Sequence, residues 1–305
     1  MHCSTWNRVV AERPIGSAAT AKAWLVVEQP GPWGARAPTS SAMDPALGAD
    51  LDARVGALGA RLALIRRPSG ADHGQAQHRV FAACSVPGQT FLLEGTVDRV
   101  EDLLPLDLDA LVRGDQDGVR ASLPVLHATD EPLLLVCVNG KRDLCCALLG
   151  RPTAHALHDQ FGETVWEANH LGGHRFAPTT VLLPHGYSHA GVDPRRGAAI
   201  ITRAREGSLE PEGLRGRSCW APAGQVAELA AREHTDEWRL DAVKVAHVRP
   251  TEDLAWDVDV TGTGTGTARH TVAVTCTTTN IMRPESCGKA DASMPSWTAS
   301  VNRAT

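Results

Sequence analysis

The sequence predicts an α/β protein: two consecutive units with strands and helices in the same order, followed by a β-rich extension. Three observations carry this. Short apolar runs such as Trp24–Glu28, Arg61–Ile65 and Pro132–Val138 read as buried strands bounded by Pro, Gly or charged residues. Amphipathic stretches at Asp50–Gly59, Cys145–Gly162, Arg195–Glu206 and Pro222–Glu233 read as helices. Past residue 255 the pattern changes to strict alternation, the period of a half-buried strand.

In the first unit, Ala18–Trp24 has helical character and Trp24–Glu28 is a strand ending in the Pro- and Gly-rich loop Gln29–Gly34. Asp50–Gly59, with Leu51, Val55 and Leu58 on one face, precedes the strand Arg61–Ile65. A polar loop over 69–78 leads to strands at Val80–Cys84 and Thr90–Glu94, which flank the Pro87-Gly88 turn. Asp98–Leu111 follows as a broken helix, then two short runs at 119–121 and 123–128.

The second unit repeats the order. The strand Pro132–Val138 is followed by the helix Cys145–Gly162, the strand Val165–Ala168 and a loop over 169–178. Thr179–Leu183 and Tyr187–Gly191 form a hairpin around Pro184-His185-Gly186, and Arg195–Glu206 closes the unit. This is the order of a thioredoxin-like domain. The expected architecture is therefore two thioredoxin-like domains in tandem, 1–128 and 129–235, with a C-terminal β-hairpin extension over 236–305. The first domain reads as degenerate, since Cys3 and Cys84 alone make no ligand set. In the extension, Trp256–Val260 and His270–Thr279 pair around the Thr/Gly repeat 261–267, and 280–305 are irregular.

Composition narrows the function classes. With 43% hydrophobic residues the chain can form a real core, and a net charge of −5 with scattered basic residues gives no sign of a nucleic-acid surface. No run is apolar enough to span a membrane, and the N-terminus lacks a signal-peptide profile, so the expected location is the cytoplasm. In a reducing compartment, eight Cys point to metal or redox chemistry rather than to a disulfide scaffold. Cys84 and Cys219 read as plain buried thiols.

The chemistry concentrates in 137–178. Cys137 ends a strand, where α/β sheets bind ligands, and Cys146 opens the next helix, whose dipole favours thiolate. Gly140 permits the turn between them, and Lys141 and Arg142 add positive charge. Arg142-Asp143 also reads as a pair that fixes the loop. His170 and His174 flank Gly172-Gly173, a loop whose backbone can approach a bound group closely. Two Cys and two His fit three occupants: a tetrahedral zinc ion, a [2Fe–2S] cluster with two His ligands, or no metal and a thiol pair at Cys145-Cys146. The first has the wrong Cys spacing, and the last lacks the Cys-x-x-Cys pattern.

The stretches Cys137–Cys146 (CVNGKRDLCC) and Trp166–Pro178 (WEANHLGGHRFAP) resemble the sucrase/ferredoxin-like family, as do WLVVEQPGPWG at Trp24–Gly34, LRGRS at Leu214–Ser218 and RPESCG at Arg283–Gly288. The resemblance implies a thioredoxin-like ferredoxin with a [2Fe–2S] cluster. Cys137 and Cys146 are the implied thiolate ligands, His170 and His174 the imidazole ligands, and Cys145 the alternative thiolate. Lys141, Arg142, Asp143, Gly172, Gly173 and Arg175 are expected around them. Asn139 departs from the family's Cys-Thr-His-Gly, where a His is expected. No carboxylate pair stands out, so sucrase activity has no support. The expectation is an electron-transfer or redox-sensing protein, more a carrier than a catalyst, that meets a donor or acceptor protein and neither nucleic acid nor membrane. The alternatives are a structural zinc module and a metal-free thiol oxidoreductase. Cys276 and Cys287 read as a redox pair or a cap on the site, and Trp24–Gly34 as a packing segment or a partner-docking one.

Overall fold

β1 (Ala23–Glu28) is buried along its whole length, as a strand is when helices or loops cover both faces of its sheet. The structure is a computed structural model that describes residues 2–68, 77–262 and 269–303. The protein is mixed α/β, with seven α-helices among the described residues. After α1 (Cys3–Val10) and β1 come α2 (Pro45–Ala57), β2 (Arg61–Arg66), β3 (His78–Cys84) and β4 (Phe91–Val97). Next are α3 (Leu108–Arg113), α4 (Gln116–Ser122), β5 (His127–Ala128), β6 (Leu133–Cys137), α5 (Arg151–Phe161) and β7 (Val165–Ala168). β8 (Thr180–Leu183), β9 (Tyr187–His189), α6 (Pro194–Arg205), β10 (Leu214–Arg217) and α7 (Pro222–Thr235) lead to β11 (Val243–Glu252), β12 (Ala255–Gly262), β13 (Arg269–Pro284) and β14 (Asp291–Arg303).

The first ten strands form one sheet in the order β10-β9-β8-β6-β7-β2-β1-β3-β4-β5. Within it the arrangement β2-β1-β3-β4 recurs as β7-β6-β8-β9, with the first pair parallel and the others antiparallel each time. The two halves join where β2 and β7 pair antiparallel, Ile65 opposite Ala168 and Arg66 opposite Glu167. An Arg66–Glu167 ion pair at 2.7 Å fastens this seam. One face of the sheet packs Leu25, Leu64 and Val136 against Val55, Leu111, Leu157 and Ile200 of the helices. The other face carries Trp24, Ile65, Trp166, Cys137 and Cys146, together with Cys3 of α1 and Cys287 from beyond β13.

Several expectations need correction. Residues 18–22 are not helical, because their backbone N–H groups have distant partners. Ala18 donates to Gln225 Oε1 at 3.1 Å, Ala21 to Ser218 at 2.7 Å and Lys22 to Gly59 at 2.9 Å. The helix expected at Cys145–Gly162 is π-helical over Cys146–Gly150 before α5 begins. The extension is a four-stranded antiparallel sheet, β11-β12-β13-β14, rather than a hairpin with an irregular end. β14 was illegible because only one face of this sheet packs on α7, and its Ser- and Thr-rich residues are mostly exposed. Most of the loop expected at 69–78, and 263–267 of the Thr/Gly repeat, lie outside the described residues.

Candidate metal centre

Cys137 is the last residue of β6, and its N–H donates to Thr179 at 2.9 Å. The chain then turns on Asn139, whose carbonyl accepts from the N–H groups of Arg142 and Asp143, each at 3.1 Å. The Asn139 amide donates to the Gly34 carbonyl at 3.0 Å, tying the turn to the Pro-Gly-Pro-Trp-Gly loop. Asp143 starts the next helix by accepting from the Cys145 N–H at 2.9 Å. That helix lies hard on the strand: a Cβ at Gly150 would sit 2.2 Å from the Cys137 carbonyl oxygen. The π-helical turn beginning at Cys146 is a feature that recurs at functional sites.

This packing buries the Cys137 and Cys146 thiols side by side in one cluster, close enough to interact. The Cys137 thiol is held well below its ordinary value, first by the Cys146 thiol, with His170 and the Leu171 N–H helping and burial opposing. Cys146 is pushed up correspondingly. Cys137 Sγ also lies 3.1 Å from the Asn169 carbonyl oxygen, a contact suited to the protonated thiol. The lowering favours the thiolate at Cys137.

The loop after β7 carries the imidazoles. The rings of His170 and His174 stand 5.2 Å apart, tilted by 31°. Both are partly exposed, yet each has a buried Nδ1 without a hydrogen-bond partner. Burial lowers the basicity of His174. Arg61 donates to the His170 carbonyl at 3.0 Å, and the fully buried Arg215 of β10 donates to the Gly172 carbonyl at 3.1 Å. Arg215 is pulled down to about 9 by burial. Gly173 has φ +71°, and a Cβ there would stand 2.2 Å from Arg215 Nη2. The Leu-Arg-Gly-Arg strand is thus the floor of the histidine loop.

Lys141 and Arg142 are exposed beside the turn, and among the described residues Arg142 forms no ion pair with Asp143. The Asp143 carboxylate instead accepts from the Cys145 and Cys287 N–H groups and from the Ser286 hydroxyl, all at 2.9 Å. Arg175 is buried, stacks on Phe176 with its guanidinium carbon 4.4 Å from the ring centre, and pairs with Glu12 at 3.2 Å. Arg283 pairs with the same Glu12, so this carboxylate locks the end of β13 to the histidine loop. Trp24 and Trp33 are buried, and Trp24 donates to Ser218 Oγ at 3.2 Å; this segment packs.

Sequence reasoning passed over Cys3, and it offered Cys287 as a cap on the site or a redox partner of Cys276 without placing it beside Cys145. With Cys145, Cys3 and Cys287 form a triangle of sulfurs: Cys3–Cys145 at 3.5 Å, Cys145–Cys287 at 3.2 Å and Cys287–Cys3 at 3.6 Å. Asp143 completes a group whose ligand atoms all lie within 4.8 Å of one another, a spacing that admits a metal ion. Cys145 therefore faces these thiols, and it is pulled down to about 5, chiefly by the Cys3 hydrogen bond. Cys276 is not the partner of Cys287; it lies on β13 opposite Trp297. Only the Cys3-Ser4 and Ser286-Cys287 dipeptides hinted at this group, and nothing local linked them.

Fold and site together define a mixed α/β protein with a large sheet and a cysteine-rich site able to take a metal. The chain belongs to the sucrase/ferredoxin-like family, whose profile matches residues 14–216. Neither a curated protein nor a solved structure matches it.

Proposed function

We propose that the protein is a [2Fe–2S] electron-transfer or redox-sensing protein, with Cys137, Cys146, His170 and His174 as the ligands and with two thioredoxin-like units sharing one sheet. One observation carries this reading: two buried Nδ1 atoms without hydrogen-bond partners, in the loop beside a buried thiol pair. A buried polar atom without a partner costs about 1–3 kcal/mol, so two in one loop make poor sense as structure and good sense as ligands. The donor set fits, since two thiolates and two imidazoles are the ligands of a Rieske-type [2Fe–2S] centre.

When bound, such a cluster supplies one-electron transfer, with no substrate bond made or broken. The chain's own residues divide the remaining work. The buried Cys137 and Cys146 would hold such a group away from water, while the partly exposed His170 and His174 would be the ligands that a redox partner can approach. Arg61 and Arg215 act electrostatically on Cys137 and so favour negative charge there. Gly172, Gly173 and Arg215 fix where the imidazoles point. No helix among the described residues is long and apolar enough to cross a membrane.

Visible absorption, together with iron and sulfide analysis of the anaerobically purified chain, tests the reading. The expected result is a coloured protein with equal iron and sulfide that Cys146→Ser and His174→Ala bleach. A colourless protein that carries zinc on these residues, or no metal at all, would sink it.

A further inference from the structure

The thiol triangle lies outside the ligand set proposed above and asks for its own occupant. We propose that Cys3, Cys145, Cys287 and Asp143 form a zinc site that fastens the N-terminal helix and the C-terminal sheet to the helix carrying Cys146. The inference stands on these four residues and does not depend on the [2Fe–2S] reading.

The geometry suits a tetrahedral ion. Zn–S bonds of about 2.3 Å and a Zn–O bond of about 2.1 Å put sulfurs roughly 3.8 Å apart and the carboxylate oxygen roughly 3.6 Å from each sulfur. The sulfurs stand 3.2 to 3.6 Å apart, and the Asp143 oxygens 3.7 and 3.9 Å from the Cys3 sulfur. All four ligand atoms lie within 4.8 Å of one another, so small side-chain adjustments bring them onto one tetrahedron.

The chemistry suits it too. Thiolates are soft donors and select zinc over magnesium or calcium. Three thiolates and a carboxylate carry the same total charge as the four thiolates of an all-cysteine zinc site. Cys3 opens α1 and Cys145 lies in the first turn of its helix, so both thiolates face the positive end of a helix dipole. Asp143 is held by two backbone N–H groups and the Ser286 hydroxyl, the kind of outer bonding that orients a ligand. Ser4 donates to the Cys145 sulfur at 3.2 Å in the same way. Binding needs no oxidant: Cys3 and Cys287 give their protons to solvent as the ion enters, and Cys145 meets it largely as the thiolate. A disulfide would pair two of the sulfurs and strand the third.

The placement also gives the ion a purpose. Cys3 and Cys287 lie outside the matched segment 14–216, one on each side of it. One ion bridging them through Cys145 ties α1 and the segment after β13 to the helix that carries Cys146.

The test counts zinc and iron separately in the full-length protein, purified with zinc and dialysed. One zinc per chain is expected in the natural protein and in His174→Ala, and none in Cys287→Ser. Should Cys287→Ser fail to fold, alkylation of the natural protein decides. Cys287 is the most accessible of the three thiols, and iodoacetamide should modify it severalfold faster once a chelator has removed the zinc. Zinc retained in Cys287→Ser, alkylation indifferent to the chelator, or a Cys145–Cys287 disulfide in place of metal would each overturn the proposal. Loss of iron alone in His174→Ala bears on the other site and leaves this one standing.

Discussion

Cys145 and Cys146 are bonded neighbours with separate partners: the Cys146 thiol pairs with Cys137, while the Cys145 sulfur lies 3.5 Å from Cys3 and 3.2 Å from Cys287. Consecutive residues at the start of a helix point about 100° apart, so one dipeptide serves two groups. The first prediction follows. Cys146→Ser should abolish visible colour and leave zinc in place, while Cys145→Ser should do the reverse. Equal loss of both metals in both variants, in folded protein, would mean one shared site.

Gly173→Ala should disturb the histidine loop. Its φ of +71° and the 2.2 Å approach to Arg215 leave no room for a methyl group. A residue forced into this region costs about 1–3 kcal/mol before any clash is counted. Thermal melting should show the loss, and iron per chain should fall with it. A variant that melts and loads like the natural protein would contradict the described loop.

The midpoint potential should lie above the roughly −400 mV of all-Cys plant-type ferredoxins, because neutral imidazoles replace two thiolates. His174→Cys should lower it if iron is retained. Arg61→Gln should lower it as well, by on the order of tens of millivolts, since it removes a cation that favours the reduced, more negative state. Protein-film voltammetry reads both shifts, and a potential unmoved by either change would count against this ligand set.

His189 should make stability fall in acid. It is fully buried, its Nε2 is 2.9 Å from the Glu210 carbonyl oxygen, and Arg196 and Arg215 both oppose a positive charge on it. Burial lowers it from 6.5 to about 4. Between those values the unfolded chain takes up a proton that the folded chain refuses, so stability is whole above pH 6.5 and drops as pH falls. The full effect is on the order of 3 kcal/mol. Urea titrations at several pH values should show this slope in the natural protein and a shallower one in His189→Gln.

Arg232→Met should destabilise the junction of the two sheets by about 3–5 kcal/mol, because it leaves Glu228 buried without its cation. Arg232 pairs with Glu228 at 3.0 Å and donates to Tyr187 Oη at 2.7 Å, and Trp220 donates to the other Glu228 oxygen at 2.9 Å. Chemical denaturation measures the cost. Glu228→Gln, which removes the charge and keeps the shape, should cost less.

Most strands and helices of the two repeated halves were legible from the residues alone, since burial on one or both faces writes a period into the chain. The same reading brought forward Cys137, Cys146, His170 and His174, all within one strand–helix–strand stretch whose local order places strand end, helix start and loop together. Long-range packing decided the rest. Cys3 and Cys287 meet Cys145 across more than a hundred residues on either side, and such contacts leave no periodic trace. Arg215 stood in the LRGRS motif with no role of its own and is the buried floor beneath Gly173, because a guanidinium can be buried where carbonyl oxygens surround it. The C-terminal strands were half hidden for the opposite reason: a sheet held on one face by α7 needs few apolar residues of its own.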